Sequence, residues 1–114
     1  SPRIGWDNNE RMSLNDRGPV DMILALALIH HLVIGNNISF SMVASYLAKL
    51  CKWTVIEFVP KNDPQVRRLL ATREDVFAQY DEESFQKDFR KCFDIEDVKK
   101  ISNSERTLYL LKVK

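Results

Sequence analysis

Two hydrophobic periods alternate along the chain. Residues 1–19 are polar and irregular, with Asn8, Asn9, Asn15, Asp16, Gly18 and Pro19 as turn formers around a lone Trp6. Residues 20–29 (VDMILALALI) are an almost unbroken apolar run. Periodicity cannot tell helix from strand in such a run. Ala, Leu and Met favour helix; the short length and the Gly18-Pro19 break favour a strand buried on both faces. On physics alone the two readings stand level. Gly35-Asn36-Asn37 breaks the chain, and Ser39 is a good N-cap. Phe40, Val43, Leu47 and Leu50 then follow at helical spacing. Trp53 to Val59 is β-branched and aromatic and reads as the clearest strand, with Thr54, Ile56 and Phe58 on one face and Trp53, Val55, Glu57 and Val59 on the other. Asp63-Pro64 opens a helix, with Val66, Leu69 and Leu70 as its stripe. The stretch from Arg73 to Gln79 continues or bends it. Asp81 caps another helical stretch, whose Phe85 and Phe89 face inward with Phe93. Val98–Ser102, a turn at Asn103-Ser104, and Arg106–Val113 read as a hairpin. Strands and helices in alternation predict an α/β architecture with a partly parallel sheet and an antiparallel edge.

Composition removes several function classes. The chain has 114 residues, and 17 basic against 16 acidic residues give a net charge of +1. A strongly basic nucleic-acid module is excluded. Arg67, Arg68 and Arg73 look basic, but acidic residues balance them over Lys61–Lys91, so a solvated helix face is the better reading. A helix-turn-helix over Ser39–Trp53 fails on the same charge argument. Cys51 and Cys92 form no CxxC pair and no zinc spacing; two buried free thiols in a reducing cytosol are expected. No signal peptide and no membrane-length run is read, so the expectation is a cytoplasmic protein.

Four blocks carry a resemblance: GWDNNER at Gly5–Arg11, DMILALALIHHL at Asp21–Leu32, EFVPKNDP at Glu57–Pro64 and SERTLYLL at Ser104–Leu111. In this order they resemble the C-terminal half of class I (Rossmann-like) S-adenosylmethionine-dependent methyltransferases, in a bacterial, nodulation-related branch. The resemblance implies a partial methyltransferase sheet: two parallel strands with helices, plus a C-terminal antiparallel hairpin whose last strand inserts between its first strand and the parallel pair. It favours strand for the run at 21–29. It also implies that residues 1–114 are the C-terminal part of one domain, with an irregular leader over 1–19. The only glycines are Gly5, Gly18 and Gly35, so the Gly-rich cofactor loop is absent. Weak cofactor binding by this chain alone is expected.

The resemblance also assigns candidate residues. Methyl transfer needs alignment more than protein chemistry, with a base where the acceptor carries a proton. His30 and His31 would lie at the carboxyl end of the first parallel strand, where cofactor and substrate meet, and are the candidate catalytic pair. Which of them faces inward cannot be read, and a packed or capping His is the structural alternative. Trp6, Leu28 and Ile29 are the candidate cofactor contacts; covering the sheet is the equal alternative for Trp6. Glu57, a carboxylate in an apolar strand, is a candidate at the substrate pocket, or a Glu at the strand's wet end. No metal is implied. The expected function is the substrate-side half of a methyltransferase using S-adenosylmethionine on an unknown acceptor. The alternative is a non-catalytic, self-associating interaction module, because a bare first strand is prone to self-pairing.

Overall fold

The computed structural model describes residues 19–72 and 77–114. It holds four strands, β1 (Val20–Ala25), β2 (Cys51–Phe58), β3 (Phe93–Lys100) and β4 (Thr107–Val113). Three α-helices join them: α1 (Phe40–Leu50), α2 (Pro64–Leu70) and α3 (Glu82–Phe89). A π-helical turn at His31–Gly35 precedes α1. The helix starts follow local chemistry. Ser39, Asp63 and Asp81 each cap a helix by accepting a backbone N–H, from Met42, Gln65 and Ser84 respectively. Pro64 sits in the first turn, where its missing N–H is no loss.

The sheet order is β1-β2-β4-β3. β1 and β2 are parallel, while β4 runs antiparallel to both β2 and β3. The final strand therefore lies between the parallel pair and β3, the order the resemblance implied. The fold is mixed α/β, with one parallel pair and antiparallel strands.

Three boundaries differ from the sequence reading. The apolar run at 20–29 is strand only to Ala25. Leu26-Ala27 is a turn, with Ala27 in the left-handed region at φ 52°. The Leu28 carbonyl then accepts the N–H groups of His31 and Leu32, which starts the helical turn. β3 begins at Phe93, so Phe93 belongs to a strand and not to the preceding helix. The hairpin closes on the pair Lys100–Thr107, around a longer loop in which Asn103 takes a positive φ of 59°. The two thiols are both free, but only Cys51 is buried; Cys92 is half-buried. Cys51 donates to the Leu47 carbonyl at 3.2 Å, and burial pushes its pKa up to about 11, so it stays a thiol.

One sheet face carries the core. Ile56 and Phe58 of β2 and Tyr109 and Leu111 of β4 meet Phe40, Val43 and Leu47 of α1 and Phe85 and Phe89 of α3. Phe85 is the hub of the rings, with centroids 4.6 Å from Phe89, 4.9 Å from Tyr109, 5.2 Å from Phe58 and 5.7 Å from Phe40. These separations suit tilted and edge-on aromatic packing. Two buried ring hydroxyls are hydrogen-bonded. Tyr80 donates to the Val59 carbonyl at 2.5 Å, and Tyr109 bonds both Glu82 and Gln86. Among the described residues no helix is long and apolar enough to cross a membrane.

Candidate functional site at the carboxyl ends of the parallel strands

Because β1 and β2 are parallel, their carboxyl ends lie on the same side of the sheet. β4 begins there too, since Thr107 pairs with Phe58. Three loops therefore converge: Leu26–His30 after β1, Val59–Asp63 after β2, and the hairpin loop that ends at Arg106. Ligands of open α/β sheets collect at such an end.

Arg106 organises this end. Its Nε donates to Asp63 Oδ2 at 2.8 Å and its Nη2 to Asp63 Oδ1 at 3.2 Å. Its Nη1 donates to Glu57 Oε1 at 3.4 Å. All three side chains are largely withdrawn from solvent. A two-pronged Arg–carboxylate contact is a strong, directional pair. It holds the Asp63 carboxyl below its usual range and raises the guanidinium further. The hairpin supports the arrangement, since the Arg106 N–H donates to Ser104 Oγ at 2.9 Å. Asp63 thus caps α2 and anchors Arg106 at once.

Glu57 has a second task. Its Oε1 accepts the Ala27 N–H at 2.7 Å. A non-Gly residue at positive φ is uncommon and costs about 1 kcal/mol. A hydrogen bond to a carboxylate offsets a cost of that size. Glu57 therefore fixes the turn that ends β1, with its charge balanced by Arg106.

The two histidines separate. His30 is fully buried and His31 is exposed. Their rings lie 4.2 Å apart, tilted by 37°. Among the described residues neither ring nitrogen of His30 finds a hydrogen-bond partner; Gln65 comes near and favours the protonated ring without reaching bonding geometry. Burial, then His31 and Arg106, push its pKa down to about 4, against the opposing pull of Asp63. His30 is therefore neutral at pH 7, and its ring accepts a proton only weakly there.

The other candidates fall as follows. Ile29 is fully buried in the core, and Leu28 is half-buried beside it. Trp6 lies outside the described residues. A recess of about 500 Å³ opens between Asn62–Pro64 and Asn103–Glu105, against Asp63. A second, of about 390 Å³, lies between the start of α1 and the side of α3, over Phe40, Phe77 and Tyr80. Neither of the two is lined by His30 or His31. Sequence reasoning missed Arg106. Its signal was indirect: a carboxylate in an apolar strand calls for a cation, but nothing local says which one.

No known protein family and no solved structure matches the chain. The chain is 40% identical over 109 residues to the nodulation protein NoeA of Rhizobium meliloti (strain 1021). The aligned stretch covers 96% of this chain, but the chain spans only 23% of that relative.

Proposed function

We propose that this chain is the carboxyl-terminal half of a Rossmann-like, S-adenosylmethionine-dependent methyltransferase domain. The observation that supports it most is the strand order β1-β2-β4-β3, with an antiparallel last strand inserted beside a parallel pair. Likeness to part of a much longer nodulation protein agrees with a half-domain.

The bound cofactor would supply an activated methyl group to an acceptor. The residues of this chain fit one side of such a site. Leu28 and His31 are accessible beside the turn that ends β1, and Ile29 supports them from within. The Glu57–Ala27 hydrogen bond fixes that turn, and Arg106 ties it to the loop after β2. His31, the accessible imidazole, is the one of the pair able to meet an acceptor proton. His30 and Glu57 are positioning groups in this reading. The chain's few glycines provide no loop to cradle the cofactor, so the other side belongs to further polypeptide.

Calorimetric titration of S-adenosylmethionine tests the reading. The complete encoded polypeptide should bind saturably, and residues 1–114 alone at least about tenfold more weakly, a difference of about 1.4 kcal/mol. Absence of saturable binding by the complete polypeptide at about 1 mM ligand, the range of −4 kcal/mol, would count against it.

A further inference from the structure

The recess of about 390 Å³ between the start of α1 and the side of α3 is separate from the cluster around Arg106; none of Glu57, Asp63 and Arg106 lines it. Its volume lies in the range of about 300–1,000 Å³ found for small-molecule sites. Phe40 and Tyr80 form its floor. Both are buried, and their ring centroids lie 5.4 Å apart, tilted by 31°. The Tyr80 hydroxyl is already spent on the Val59 carbonyl, so Tyr80 gives the recess ring surface and no donor. Ile38 and Phe77 are half-buried and supply apolar wall within reach of a ligand.

The rim is polar, and its charge is unbalanced. Lys87 and Asp88 of α3 are its charged residues. Asp88 is engaged by Lys91 at 3.3 Å, and the same amine reaches the Ser41 hydroxyl at 3.4 Å. Lys87 is exposed and makes no ion pair among the described residues. Two amines against one carboxylate leave the rim with positive charge in excess. α1 also opens onto this rim, and its first turn carries no acidic residue to answer the positive end of its dipole. An apolar floor with a few polar groups above it is how small-molecule sites fix orientation. Charge complementarity then selects the sign of the ligand.

We propose that this recess binds a small molecule with a flat apolar ring system and an anionic group. The ring system lies over Phe40 and Tyr80, between Ile38 and Phe77, and the anion meets Lys87. Each part of the ligand answers a part of the recess. A ligand polar all round would leave the aromatic floor unmatched, and a cationic one would meet charge of its own sign at the rim. The volume suits one or two fused rings rather than a polymer. Ser84 lines the recess from α3 and is the point at which a larger side chain closes it. The proposal does not rest on methyl transfer, since neither His30 nor His31 lines the recess.

Equilibrium dialysis of naphthoate against the complete encoded polypeptide tests the site, with naphthylmethylamine as the cation on the same ring system. Naphthoate should bind saturably and at least about threefold more tightly than the amine, since a rim ion pair is worth up to roughly fivefold. Lys87→Glu, at an exposed position, should abolish that preference. Ser84→Trp puts an indole into the recess and keeps the backbone N–H that Asp81 accepts. It should weaken naphthoate at least about tenfold, the scale of a lost small-ligand contact surface. Lack of saturable naphthoate binding up to about 1 mM would overturn the proposal. So would equal affinity for the amine, unchanged binding in folded Ser84→Trp, or displacement of naphthoate by S-adenosylhomocysteine. Should Ser84→Trp fail to fold, the Lys87→Glu result decides. Failure of S-adenosylmethionine binding would leave the naphthoate results unaffected, so the two proposals fail separately.

Discussion

Arg106→Ala should destabilise the protein by about 3–5 kcal/mol, the range found when one partner is removed from a buried charge pair. The reason lies in what remains. Asp63 and Glu57 are both buried, and Arg106 is the cation between them. Without it two carboxylates face each other's field with little water to screen them. The turn at Ala27 also loses the cation that balances the charge on Glu57, its hydrogen-bond acceptor. Arg106→Lys keeps the charge but cannot reproduce the two-pronged contact with Asp63, so roughly half of the loss should remain. Urea unfolding at pH 7 measures both variants. A loss below about 1 kcal/mol for the Ala variant would class the cluster with exposed ion pairs and remove Arg106 as its organiser.

The second large effect is acid sensitivity set by His30. Its pKa in the folded protein is about 4, below its ordinary value of 6.5, so folding favours the neutral ring. Its contribution is therefore complete above pH 6.5 and is lost as pH falls through 4. The size is on the order of 3 kcal/mol. Asp63 follows the same direction in a lower window. Its folded pKa is depressed, so its contribution is present above the usual 3.8 and is lost only as pH falls below that. The two windows separate the groups experimentally. In His30→Leu the decline between pH 6.5 and 4 should flatten, while the decline below 4 should persist. At neutral pH the same variant should be near wild-type stability, because an apolar side chain leaves no unmet ring nitrogens. An unchanged decline between pH 6.5 and 4 in the variant would show that His30 is not its source.

Local signals made much of the fold legible. The capping residues Ser39, Asp63 and Asp81 and the strand centred on Trp53–Phe58 announce themselves within a few residues. The run at 20–29 was ambiguous for a physical reason. Its Leu and Ala side chains suit a strand and then a helical turn equally, and the switch falls at Ala27, a residue with no turn signature. What stabilises the switch is Glu57, thirty residues away. The sequence pattern shows only the end of β3, from Val98, because FDIEDVKK carries the charge of an edge strand rather than the clean alternation of a half-buried one.

The candidate site was only partly legible. Glu57 stood out as a carboxylate in an apolar strand, and the structure supplies its partners, Ala27 N–H and Arg106. Arg106 itself carried no motif, because its two carboxylates lie 43 and 49 residues earlier in the chain. Adjacent histidines cannot be assigned to inside or outside by pattern. The helical turn after β1 decides it, sending His30 into the interior and His31 to solvent.

The most direct test of the half-domain account is an experimental structure of the complete encoded polypeptide with S-adenosylhomocysteine. The account requires a further parallel strand on the open side of β1, with the ligand at the carboxyl ends of both strands, beside Leu28 and His31. An open side of β1 that meets an antiparallel strand, a second copy or solvent, with no ligand at that end, would contradict it.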